Sequence, residues 1–109
     1  MKWIRVTNIE NIPLREGRSV KIGGDEIAIF NLGDRFMAVD NACPHRGGPL
    51  CDGIVSGATV ACPLHGYKVC LESGNVLKPD VSVRVDTYPV RVEDGVISIQ
   101  LESSQEKAA

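Results

Sequence analysis

The run Ser19-Val20-Lys21-Ile22-Gly23-Gly24-Asp25-Glu26-Ile27-Ala28-Ile29-Phe30-Asn31-Leu32 reads as two short strands folded back at a glycine pair. Glycine supplies the backbone angles that a tight hairpin needs, and β-branched residues crowd the flanks. Within Glu26 to Leu32, the residues Ile27, Ile29 and Asn31 alternate with Ala28, Phe30 and Leu32. Both faces are therefore largely apolar, as expected of a strand buried on both sides. A Gly33-Asp34 turn leads into Arg35 to Val39 and makes a second hairpin.

Outward from this run the pattern repeats. In the C-terminal third Val81, Val83 and Val85 alternate against Ser82 and Arg84, then come Tyr88 to Val92, a Glu93-Asp94-Gly95 turn and Val96 to Leu101. Ile97, Ile99 and Leu101 are expected to face inward. No stretch combines a 3.6-residue apolar period with helix caps. The fold class is accordingly expected to be all-β, a small sandwich or barrel. One domain is expected over residues 1–102, with 103–109 a flexible polar tail.

With 109 residues and 43% hydrophobic content, the chain has room for one modest core and none for a second catalytic domain. Twelve Lys and Arg stand against 14 Asp and Glu with their signs interspersed, for a formal charge of -2. That excludes the basic stripe a nucleic-acid partner requires. Met1-Lys2-Trp3-Ile4-Arg5-Val6 lacks the apolar core of a signal peptide, and no apolar run approaches the roughly 20 residues that span a bilayer. A cytoplasmic location without membrane contact is expected.

The segment from Asn41 to about Pro79 differs in kind, because it holds all 4 cysteines and both 2 histidines. Each histidine follows a cysteine by two or three places, as Cys43-Pro44-His45 and Cys62-Pro63-Leu64-His65. Disulfides would need an oxidising compartment to which nothing directs the chain, so metal binding is the better reading. Cys43 recurs as Cys62 and Cys51 as Cys70 at the same offset, which makes two paired ligand loops inserted into a β scaffold. Asp52 to Ala61 is expected to form a turn and a strand that bring the second loop beside the first.

Two Cys and two His also satisfy tetrahedral zinc, and a zinc-stabilised binding module is one alternative. Structural zinc sites usually group like ligands, whereas here each loop contributes one of each kind. Mixed loops suit a two-iron cluster in which one iron takes both thiolates and the other both imidazoles. Gly47, Gly48 and Gly66 would let loop N–H groups approach the cluster sulfurs, while Pro44, Pro49 and Pro63 stiffen the loops. Pro79 would begin a third, covering loop.

Cys43-Pro44-His45-Arg46-Gly47-Gly48-Pro49-Leu50 together with Cys62-Pro63-Leu64-His65-Gly66 resembles the signature of the Rieske family. The resemblance implies a small all-β domain with an inserted two-loop cluster-binding subdomain at about 41–79 and one [2Fe–2S] cluster per chain. It implies that Cys43 and Cys62 bind the inner iron, and that His45 and His65 bind the outer iron near the surface. Two ferric ions, two sulfides, two thiolates and two neutral imidazoles sum to zero charge, so adding an electron is easier than with four thiolates. Rieske centres accordingly lie at roughly -150 to +300 mV, against about -400 mV for plant-type ferredoxins.

High-potential members carry a disulfide between the loops and hydroxyl donors to the sulfurs. This sequence has Gly48 and Leu64 at the disulfide positions, and Tyr67 and Val69 at the places of a Ser and a Tyr. Fewer donors imply a potential near the low end of the range. Cys51 and Cys70 are spare thiols, read as inert, with a mutual bridge or a redox role left open.

With the ligands committed, no base and nucleophile pair remains, so no catalytic residue is expected and electron carriage is the function. The exposed His edge of the cluster would dock a redox partner protein. From Cys43 to Asp80, basic and acidic residues balance, so steering by net charge would be weak. The same residues, with Pro79-Asp80 and Thr87-Tyr88-Pro89-Val90-Arg91-Val92-Glu93-Asp94-Gly95, are similar to the small subunit of NAD(P)H-dependent nitrite reductase, whose partner is a large sirohaem and flavin subunit. That is the preferred reading. The alternative is a stand-alone ferredoxin serving a reductase and a ring-hydroxylating dioxygenase.

Overall fold

A computed structural model describes residues 2–22, 24–41, 49–63, 66–78 and 84–101. Eleven strands are found among them: β1 Lys2–Asn8, β2 Gly17–Ile22, β3 Asp25–Asn31, β4 Phe36–Asp40, β5 Ile54–Ser56, β6 Thr59–Ala61, β7 Lys68–Cys70, β8 Val76–Lys78, β9 Thr87–Tyr88, β10 Val90–Glu93 and β11 Val96–Leu101. Single 3₁₀ turns cover Ile9–Asn11 and Leu50–Asp52, and no α-helix occurs among the described residues. The fold is all-β, as the alternation implied.

Three antiparallel sheets form, in the orders β1-β11-β10, β2-β3-β4-β9 and β5-β6-β7-β8. The third lies between β4 and β9 in sequence and is built from the region that holds the expected ligand loops. The strand buried on both faces is β3, and its alternation separates two cores. Ala28 and Phe30 join Val39, Leu50, Val60 and Val69 beneath the third sheet. Ile27 and Ile29 join Ala38, Tyr88, Ile97 and Ile99 against the first sheet. β3 is thus the wall shared by the base of the domain and its inserted part.

The hairpins follow their turn residues. Ile22 pairs with Asp25 across the glycine pair, and Glu93 pairs with Val96 across Asp94-Gly95. Ile97 and Ile99 are fully buried as expected, whereas the side chain of Leu101 lies outside the described residues.

Three features depart from expectation. Lys2–Asn8 is a strand that the sequence reading passed over, paired along its length with β11. Asp52 to Ala61 contains a complete hairpin, β5–β6, rather than one strand. Tyr88 to Val92 breaks at Pro89: Tyr88 pairs with Ala38 in the second sheet, while Val90 pairs with Ile99 in the first. Proline has no N–H for a ladder. Its carbonyl still accepts the Gln100 N–H at 3.0 Å, which makes Pro89 the point where the chain changes sheets. Residues 79–83, with Val81 and Val83, and the tail 102–109 lie outside the described residues.

Candidate metal centre

The first ligand loop leaves the base at the end of β4 and returns at Pro49, which opens the 3₁₀ turn Leu50–Asp52. Cys43 and His45 fall within 42–48, outside the described residues, but both ends of the loop are described. They converge on Asn41. Its backbone N–H donates to the Glu26 carbonyl at 2.9 Å, and its carbonyl accepts the Leu50 N–H at 3.3 Å. Its side chain donates from Nδ2 to the Glu26 carboxylate at 3.1 Å, and its Oδ1 accepts the Cys51 N–H at 2.7 Å.

Asn41 is only 6% exposed, so it clasps the mouth of the loop and ties it to β3. The sequence reading used Asn41 only as a boundary. Its position between the end of β4 and a ligand loop was the available signal. Asn41→Leu leaves the Cys51 N–H and the Glu26 carboxylate without this partner, an expected cost of about 1–3 kcal/mol. Urea denaturation should show that loss, and a chelator should bleach the variant faster than the native protein.

The second loop joins β6 to β7. Cys62 stands at its start, 3% exposed, a free thiol that belongs to the core beneath the third sheet. The Cys62 N–H donates to the Tyr67 carbonyl at 2.7 Å, and the Gly66 N–H donates to the Cys62 carbonyl at 2.9 Å. These two bonds close the loop on itself. Gly66 has φ +74°, in the left-handed region, and a Cβ there would meet nothing within 4 Å among the described residues. The left-handed conformation therefore calls for glycine, with no crowding from the described residues. Leu64 and His65 lie outside the described residues.

Of the four expected ligands, the structure therefore places Cys62 alone. A buried thiol free of any disulfide, at the start of a tight loop above an apolar core, fits a cluster thiolate on the chemistry of the donor. Among the described residues no three His, Cys, Asp or Glu side chains gather into a separate metal site.

The spare thiols are both free, so no bridge joins Cys51 to Cys70. Burial pushes the Cys51 thiol up, and the neighbouring Asp52 carboxylate adds to this. Burial also pushes Cys70 up, but the hydroxyl and N–H of Ser73 and the N–H of Glu72 outweigh it and leave that thiol below its ordinary value. Just before the first loop, the Tyr88 hydroxyl donates to Asp40 Oδ1 at 2.6 Å and pins the end of β4 to β9. Burial holds the Asp40 carboxyl above its ordinary value against this bond, and the Asp86 and Asp25 charges act in the same sense.

Known proteins agree with this architecture. The 3-phenylpropionate/cinnamic acid dioxygenase ferredoxin subunit of Escherichia coli (strain K12) is 36% identical over 107 residues, which cover 96% of this chain and 99% of that one. The ferredoxin of carbazole 1,9a-dioxygenase from Nocardioides aromaticivorans IC177 superposes with a TM-score of 0.86 at 22% identity, covering 94% of this chain and 100% of that one. A putative NADH-dependent nitrite reductase small subunit from Mycobacterium tuberculosis superposes with a TM-score of 0.83 at 28% identity, covering 93% and 96%.

No helix among the described residues is long and apolar enough to cross a membrane. The Rieske-like [2Fe-2S] domain matches residues 2–100, a span that takes in both ligand loops and all three sheets. The chain belongs to the Rieske-like [2Fe-2S] domain family, its cofactor is a Rieske-type [2Fe–2S] cluster, and its work is electron transfer.

Proposed function

We propose that this chain is a Rieske ferredoxin that carries single electrons from a reductase to a terminal ring-hydroxylating oxygenase. Cys43 and Cys62 hold the inner iron and His45 and His65 the outer iron of one cluster. The observation that carries the partner class is the identity, over nearly the whole chain, with a dioxygenase ferredoxin subunit. Membership of the family removes the ground for a zinc-only module. When bound, the cluster takes up and gives back one electron. Under this reading the chain works in the cytoplasm, beside a reductase and an oxygenase.

The residues of the chain set the terms of that exchange. Cys62 keeps its thiolate within the core, away from water. Asn41 holds the two ends of the first loop together, and two backbone bonds within residues 62–67 hold the described ends of the second. Val69 is fully buried and has no hydroxyl to give to a sulfur. A redox titration of the purified holoprotein is therefore expected to give a potential toward the -150 mV end of the roughly -150 to +300 mV range. A clearly positive value would contradict the argument from the missing hydroxyl at Val69.

A second reading, the small subunit of nitrite reductase, is favoured by the similarity carried by residues 43–50, 79–80 and 87–95 and by the likeness to the mycobacterial subunit. Reconstitution separates the two. The holoprotein is added to an NADH-dependent ferredoxin reductase with a terminal dioxygenase, and separately to a flavin and sirohaem nitrite reductase large subunit. Oxygen uptake that depends on the chain supports the ferredoxin reading. Nitrite loss that depends on it, without oxygen uptake, overturns that reading in favour of the second.

A further inference from the structure

One edge of the third sheet carries an arrangement that the sheet itself does not need. Across its four strands Ile54 pairs with Ala61, Ala61 with Lys68, and Lys68 with Lys78. This row adjoins the second ligand loop, since Ala61 directly precedes Cys62 and Lys68 directly follows Tyr67. Lys68 and Lys78 are cross-strand partners of like charge, both exposed, and neither forms an ion pair among the described residues. Like charges opposite one another weaken a sheet. Lys78 on the edge strand β8 would serve to discourage strand addition, but Lys68 lies on an inner strand where that use does not exist.

The apolar residues beside them are also out of keeping with a simple solvated face. The register shifts between Lys68 and Val69, so that Val69 faces Val76 while Lys68 faces Lys78, and Leu77 is the extra, bulged residue. The bulge turns two consecutive side chains outward, and Leu77 is 52% exposed. At the opposite edge of the row Ile54 is 76% exposed. Two aliphatic side chains thus flank two cations beside the loop that holds the expected ligands Cys62 and His65. The acids of the inserted part that are described point elsewhere: Glu72 is paired with Arg35, and Asp52 lies beside Cys51 in the 3₁₀ turn.

We propose that this row is the docking face for the electron-accepting oxygenase, and that this partner presents carboxylates around an apolar contact. The proposal rests on the electron-carrier reading above. It adds that recognition is governed by local positive charge, although the chain as a whole has a formal charge of -2. Lys68 and Lys78 meet the carboxylates, Ile54 and Leu77 meet the apolar part, and the encounter ends with the ligand loop against the partner.

The test uses the reduced holoprotein and two small oxidants of opposite charge, hexacyanoferrate(III) and hexaammineruthenium(III), in stopped flow at low and high ionic strength. The variants are the double K68E/K78E and a double K21E/R5E, which makes the same change in net charge at exposed positions of β2 and β1. For K68E/K78E the ratio of the hexacyanoferrate rate to the ruthenium rate should fall about tenfold at low salt, the loss disappearing at high salt. The K21E/R5E ratio should move much less. Equal falls in both variants would mean that only net charge acts and would overturn the docking face. A native holoprotein that dithionite cannot reduce would instead overturn the electron-carrier reading itself.

Discussion

Cys62→Ala is expected to abolish the visible absorption of the protein and to reduce iron and acid-labile sulfide per chain to background. The thiol is 3% exposed and free, at the point where β6 enters the second loop. No other described cysteine or histidine can replace it there, since Cys51 lies in the 3₁₀ turn and Cys70 beyond the loop in β7. Because cluster binding is coupled to folding, the variant should also melt at a lower temperature than the holoprotein. The backbone bonds between residues 62 and 67 do not involve the side chain, so circular dichroism should still report a β protein. Cys70→Ala, made in parallel, should keep its colour. If Cys62→Ala kept a full complement of iron and sulfide, the ligand assignment would be wrong.

Gly74→Ala is expected to cause a large loss of fold stability. Gly74 adopts φ +82°, and a Cβ there would stand 2.2 Å from the backbone oxygen of Val85 and 3.1 Å from the Thr87 side chain. The close approach has a purpose. The Val85 N–H donates to the Gly74 carbonyl at 2.8 Å, Asn75 bridges to Arg84, and the Arg84 guanidinium donates to the Ser73 carbonyl. These contacts fasten the turn between β7 and β8 to the chain returning to the base. A methyl group adds left-handed strain and forces two backbones apart, at an expected cost of about 2–5 kcal/mol. Urea denaturation of the native protein and the variant measures it. A difference below about 1 kcal/mol would mean that the turn can move away without resistance, and that the joint is not what holds the inserted sheet.

Much of this is legible in the sequence. The double-faced apolar alternation of Glu26 to Leu32 identified the central strand, because side-chain direction in a strand depends only on parity along the chain. The glycine and Asp-Gly turns were legible for the same local reason, and the motifs at residues 43–50 and 62–66 carried the resemblance to the family. Lys2–Asn8 carried no such local mark, because its partner, β11, lies at the other end of the chain. The break at Pro89 was visible as a proline, but not that the two halves of the run would join different sheets.

Local pattern thus carried the fold class, the turns, the candidate ligands and, through them, the kind of cofactor. Long-range packing set the rest: β3 divides two cores, Asn41 clasps the first loop, Gly74 lies against Val85, and Lys68 stands opposite Lys78 beside the second loop. Periodicity and turn chemistry act between neighbours in the chain. Each of the other features needs groups brought together by strand pairing and packing over long separations, which no local pattern encodes.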